Sequence, residues 1–265
     1  MSANILRFPT AQEAATACGD RMFALLDAAR KARGVATLAV SGGSTPRLMF
    51  QSMARREYNW SDIELFWVDE RIVTPSDDQS NYRMTREALL DAIRMPADHI
   101  HRIEGELTPE KANENYVAEI RRVFGLTGGT LPVFDVIQRG MGPDSHTASL
   151  FPGEPLIRNK TDIAASVWVE KMGQHRVTLL PGVLERARHT LCLVSGADKA
   201  AAYVSGRRRT NLPPQASPLS ARTRLAARPR RPARAIRRAS DIRLSARTAS
   251  GARERALVNR QTVQT

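Results

Sequence analysis

Val133-Phe-Asp-Val-Ile-Gln-Arg-Gly-Met-Gly-Pro-Asp-Ser-His-Thr-Ala-Ser-Leu-Phe-Pro-Gly153 is the stretch from which the rest of the chain is read. Its first five residues, Val133 to Ile137, form a short apolar run of strand type, and two glycines follow close behind. Gly140 and Gly142 let the backbone turn sharply and approach a ligand. Asp144 and His146 then supply an acceptor and a group that titrates near neutral pH. Acid/base groups at the carboxyl end of a rigid parallel strand are the equipment of an active site.

Two further segments upstream repeat the pattern. Leu38-Ala-Val-Ser-Gly-Gly-Ser-Thr-Pro46 reads as a buried strand, a glycine turn and a helix start, with Ser44 or Thr45 as cap and Pro46 at the first helical position. Unpaired N–H groups at such a start favour an anion, typically a phosphate. Ile63-Glu-Leu-Phe-Trp-Val-Asp-Glu-Arg71 is again an apolar strand, this one ending in charge. Three such strand ends predict one cleft at the carboxyl edge of an open α/β sheet. Helices are expected over Ala11 to Arg33, ending at Gly34, and over Arg47 to Arg56, Arg83 to Ile93 and Pro109 to Phe124. Further strands are expected at Ile163 to Val169, Val177 to Leu179 and Thr190 to Val194. This alternation implies right-handed βαβ crossovers and a mostly parallel sheet covered on both faces.

Ser41-Gly-Gly-Ser-Thr-Pro46, Trp67-Val-Asp-Glu-Arg71, Ser80-Asn-Tyr82, Gly140-Met-Gly-Pro-Asp-x-His-Thr-Ala-Ser-Leu-Phe-Pro152, Arg176-Val-Thr-Leu179 and Ser195-Gly-Ala-Asp-Lys199 together resemble the 6-phosphogluconolactonase family of the pentose phosphate pathway. The resemblance covers roughly residues 5 to 204. It implies a single-domain three-layer αβα sandwich and hydrolysis of 6-phospho-D-glucono-1,5-lactone, a small phosphosugar lactone, to 6-phosphogluconate. His146 would act as general base and then acid, since an imidazole can do both at neutral pH. Asp144 would orient it or the water, as a carboxylate fixes an imidazole tautomer in triad-like sites. Asp69 would stand in the cleft with Glu70 and Arg71, and Arg71 would contact the phosphate or the carbonyl. Gly42, Gly43, Ser44 and Thr45 would meet the 6-phosphate, and Arg176 and Lys199 would add charge to it. No cofactor is implied, and the His and Cys residues lack metal-ligand spacing. Glucosamine-6-phosphate deaminases share the fold, but carry Asp-Glu-Tyr where this chain has Asp69-Glu70-Arg71. Against each assignment stands a plainer one: His146 as a packed histidine, Asp144 as a helix cap, the Gly-Gly pair as an ordinary turn and the charged trio as a solvated one.

Two positions depart from the family pattern. Ser145 stands where a glycine is usual, and costs of order 1 kcal/mol if φ is positive there. Gln138 and Arg139 replace an aliphatic pair, and are free to face the cleft instead of the core.

Charge divides the chain. Residues 206–265 hold 16 Arg, no Lys and only Asp241 and Glu254 as acids, so this segment carries the whole net charge of +13 while the rest is near neutral. Tyr203 is the last aromatic residue. The expected division is a lactonase-like domain over 1–205 and a disordered Arg/Ala/Pro/Ser-rich tail over 206–265, with no closing strand after the Ser195 to Lys199 motif. Such a composition is what GC-rich DNA yields when read out of frame, so a frame change near residues 203–209, with an inactive product, is one reading of the tail. A basic appendage is another: it would hold nucleic acid only non-specifically, having no aromatic residue for stacking. Cys18 and Cys192 are too few for a disulfide framework. No signal-peptide form and no run of about 18 apolar residues is present, so a cytoplasmic monomer that does not enter membranes is expected.

Overall fold

The structure, a computed structural model, describes residues 4–199 and 223–227. In chain order its elements are β1 (Asn4–Phe8), α1 (Ala11–Arg33), β2 (Ala36–Val40), α2 (Ser44–Ala54), β3 (Ile63–Trp67), β4 (Asp69–Arg71), α3 (Asn81–Ala88), β5 (Ile100–His101), α4 (Pro109–Phe124), β6 (Val136–Arg139), β7 (Ala164–Val169), β8 (Gln174–Leu179), α5 (Pro181–Arg186), β9 (His189–Val194) and β10 (Thr223–Ala227). Seven strands form one sheet in the order β1-β10-β9-β6-β2-β3-β5, with every pair parallel. This is the mostly parallel α/β fold expected. Among the described residues, no helix is long and apolar enough to cross a membrane.

Local chemistry sets the elements. All five residues of β2 are buried, as suits a central parallel strand covered on both faces. Thr10 caps α1 by accepting from Glu13 N at 3.1 Å, and the helix ends at Gly34. Thr108 does the same for α4 through Lys111 N, with Pro109 opening the helix and Ala112, Tyr116 and Ile120 buried along one face. Aromatic side chains fill the core around Phe66 and Trp67, where the Tyr116 hydroxyl accepts from Trp67 N at 3.1 Å and donates to Trp67 O at 2.5 Å.

Four differences from the sequence reading have physical causes. The motif strand starts at Val136, not Val133, because Asp135 spends its carboxylate on Thr37, accepting from its N at 2.9 Å and its Oγ1 at 3.1 Å. β7 and β8 do not join the parallel sheet but form a small antiparallel sheet with β4, in the order β4-β8-β7. β1 was not anticipated. Nor was β10, a closing strand inside the supposed tail, which lies between β1 and β9. Thr-Arg-Leu-Ala-Ala has no apolar alternation to announce it; its place comes from two strands that need a partner between them. The rest of the tail, the boundary at 205/206 and the suspected frame change lie outside the described residues.

Val68 joins the two sheets. Its N donates to Val40 O at 2.8 Å and its O accepts from Leu179 N at 2.8 Å, so the chain leaves the parallel sheet at Trp67 and enters the small one at Asp69. α4 packs against β5 of one sheet and against β7 and β8 of the other.

Candidate active site

At the end of β2 the turn Ser41-Gly42-Gly43 delivers the chain into α2. Gly43, not Ser44 or Thr45, is the cap residue, and Pro46 is the third helical residue. The hydroxyl of Thr45 is used elsewhere, 2.6 Å from Ser195 Oγ, which ties the start of α2 to the loop after β9. The first backbone bond of the helix runs from Arg47 N to Gly43 O at 3.0 Å, so the N–H groups of Ser44 and Thr45 precede it and point out of the helix start. Gly42 is required by space: a Cβ there would overlap the Asn81 carboxamide, whose Nδ2 donates to Asp69 O at 2.8 Å.

In β4 the three charges part company. Asp69 is buried and its Oδ2 accepts from Ser149 Oγ at 2.7 Å. Glu70 turns away and caps α3, its carboxylate accepting from Arg71 N at 2.8 Å, Asn81 N at 2.7 Å, Tyr82 N at 2.7 Å and Ser80 Oγ at 3.1 Å. Burial raises its pKa against the pull of those N–H groups. Arg71 lies opposite Arg176 of β8 in the antiparallel register. Burial, and then the neighbouring Arg71 cation, hold the Arg176 guanidinium below its ordinary range. Among the described residues, Nε of Arg71 and Nε of Arg176 are buried with no hydrogen-bond partner.

After β6 comes a tight loop and no helix. Gly142 N donates to His146 O at 2.8 Å, Ser145 N to Gly142 O at 3.0 Å, and Thr147 Oγ1 to Gly140 O at 3.0 Å. Asp144 Oδ1 accepts from the His146 backbone N at 3.3 Å and from His146 Nδ1 at 2.5 Å. A carboxylate only accepts, so Nδ1 carries the proton and Nε2 keeps its lone pair. Burial lowers the His146 pKa, Asp69 opposes it, and the cations Arg176, Lys199 and Arg71 add to the lowering. The imidazole lies 4.5 Å from the Phe151 ring, and a Cβ at Gly142 would overlap it. The loop holds Ser145 at φ 70° and Ala148 at φ 54°.

These strand ends enclose a cleft of about 270 Å³ lined by His146, Asp69, Gly42, Gly43, Ser44, Thr45, Arg71, Arg176 and Lys199. Asp144 stands behind the imidazole and outside the lining. Gln138 and Arg139 do not face the cleft; both are buried, and Gln138 Oε1 accepts from Ser41 N at 3.1 Å, bracing the turn from beneath. Sequence reasoning did not single out Thr147 or Met141, which also line the cleft, nor assign Asn81 a place there. Ser149 and Phe151 lie inside the quoted motif but were given no role, and Lys171 carried no signal because a chain crossing brings it to Asp144.

Residues 9–227 match the family model described as glucosamine-6-phosphate isomerases/6-phosphogluconolactonase. The chain is 39% identical over 168 residues to a 6-phosphogluconolactonase of Synechocystis sp., covering 63% of this chain and 69% of that one. It is 35% identical over 201 residues to a 6-phosphogluconolactonase of Aggregatibacter actinomycetemcomitans, covering 74% and 82%. The crystal structure of a 6-phosphogluconolactonase from Thermotoga maritima superposes with a TM-score of 0.72 at 25% identity, covering 85% of this chain and 99% of the other.

Proposed function

The chain belongs to the glucosamine-6-phosphate isomerase/6-phosphogluconolactonase family, and we propose that its cleft hydrolyses 6-phospho-D-glucono-1,5-lactone to 6-phosphogluconate with His146 as the general base. The observation that carries this reading is the pairing of His146 Nδ1 with Asp144 beside a cleft whose lining includes three cations and a helix start. Nε2 takes a proton from water as its oxygen bonds to the lactone carbonyl carbon, giving a tetrahedral oxyanion. As that intermediate collapses, the ring C–O bond breaks and the departing alkoxide takes the proton back from the imidazolium. Water is consumed and nothing is oxidised or reduced.

The remaining lining residues bind. Gly42, Gly43, Ser44 and Thr45 receive the 6-phosphate at the start of α2, where the helix dipole favours an anion. Arg176, Arg71 and Lys199 surround it, and the two unpartnered Nε groups are donors that phosphate or carbonyl oxygens satisfy. Asp69, held by Ser149, faces the imidazole and stabilises its protonated form midway through the reaction. The enzyme acts as a cytoplasmic monomer. Residues 206–265 associate with nucleic acid only through non-specific phosphate contacts.

The test is the rate of lactone hydrolysis above the spontaneous background. His146→Ala is expected to lower kcat by about 10²- to 10⁴-fold. A full rate in that variant removes His146 from the mechanism, and ammonia released from glucosamine 6-phosphate would assign the chain to the other branch of the family.

A further inference from the structure

The acid/base pair has a third member, supplied by the small sheet. Between β7 and β8 the chain makes a single turn of 3-10 helix, Glu170–Met172, and Lys171 reaches from it across to the loop after β6. Its Nζ donates to Asp144 Oδ2, the carboxylate oxygen that His146 does not use. The same ammonium stands 4.2 Å from the centroid of the Phe151 ring, and that ring packs on the imidazole. Lys171 therefore touches both supports of His146, its carboxylate and its aromatic wall. It is not part of the cleft lining, so it has no place among the substrate contacts.

Asp144 needs such a tie. It sits on a loop, its side chain is 37% exposed, and among the described residues its hydrogen bonds, apart from that to Lys171, run to His146 alone. An unanchored carboxylate rotates and offers either oxygen to water, and the imidazole it faces is then free to change tautomer. We propose that Lys171 is a positioning residue of the lactonase reaction: by engaging Oδ2 it fixes Oδ1 on the Nδ1 proton of His146, and so keeps Nε2 as the base. This inference rests on the reading of His146 as the base.

The charged groups facing the imidazole are Asp144 on its own loop, Asp69 and Arg71 of β4, Arg176 of β8, Lys199 after β9 and, through Asp144, Lys171. Removing Lys171 takes one cation from this set and leaves the Asp144 charge uncompensated beside His146. Both changes favour the imidazolium, so the acid limb of kcat moves to higher pH.

The experiment compares the full-length protein with Lys171→Met and Lys171→Arg. Each is assayed for lactone hydrolysis across pH and, on the same samples, nitrogen-15 NMR reads the His146 ring. Lys171→Met is expected to lower kcat about tenfold with KM nearly unchanged, and to move the acid limb up by about half a unit to one unit. Its ring signals at high pH should show a mixture of tautomers where the parent shows Nδ1–H alone. Lys171→Arg should restore both, since a guanidinium also reaches Oδ2. Unchanged kcat, limb and tautomer in a folded Lys171→Met overturns the proposal. Absence of turnover in the parent overturns the assigned reaction instead, and the ring signals then judge Lys171 by themselves: a single tautomer that survives Lys171→Met still sinks it.

Discussion

Ser145 shares the strain of the acid/base loop with Ala148. At φ 70° it occupies the left-handed region that glycine enters freely, and it does so between the two residues whose geometry matters most. Ser145→Gly removes about 1–2 kcal/mol of backbone strain and returns part of it as unfolded-chain entropy, so a net stabilisation of about 0.5–1 kcal/mol is expected from denaturant titration. The next residue sets the pH range. Because burial lowers the His146 pKa, the imidazole remains an unprotonated base to lower pH than an ordinary histidine, and the acid limb of kcat/KM should fall below about pH 6.5. A pH–rate profile checks this directly.

The elements show how close approach, more than charge, builds the cleft. α3 is held by Glu70 and presses Asn81 into the Gly42 turn, so the motifs Ser-Gly-Gly, Asp-Glu-Arg and Ser-Asn-Tyr, distant in sequence, form one wall. Gly42→Ala is expected to cost about 1–3 kcal/mol in a thermal melt, and to lower kcat/KM by displacing Asn81 and with it the Asp69 backbone. Those motifs were legible because glycines and charges at strand ends carry a chemical reason for their position. So were α1 and α4, whose apolar period and caps agree. What escaped was decided by long-range pairing: Arg71 and Arg176 meet through antiparallel register, which no local pattern encodes, and Gln138 is polar yet buried because the Ser41 turn needs an acceptor. Cys18 lies in the core, where burial takes its pKa to about 12.

For the whole molecule the decisive feature is that the parallel sheet is completed from within the Arg-rich segment. β10 supplies β1 with its partner in the sheet and gives β9 its second one. A chain ending at Arg230 keeps every described strand, and is expected to remain a soluble species with a cooperative melt and lactonase activity. A chain ending at Lys199 opens β9 and strands β1, and is expected to aggregate on size-exclusion chromatography. The composition of the tail concealed this, since arginine-rich sequence reads as solvent-loving whatever backbone pairing it joins.

That arrangement also has a meaning in time. β1 is placed by β10: among the described residues the one strand that pairs with Asn4–Phe8 is Thr223–Ala227, more than two hundred residues further along the chain, so β1 waits for it to be made. At about 5–20 residues per second, it waits roughly 10 to 40 seconds for that neighbour. Through that interval the nascent chain presents a bare strand, interrupted by the exposed charge of Arg7, to whatever else the cell offers it. Synthesis rate and chaperone supply, as much as the finished sheet, therefore set how much of this enzyme a cell obtains.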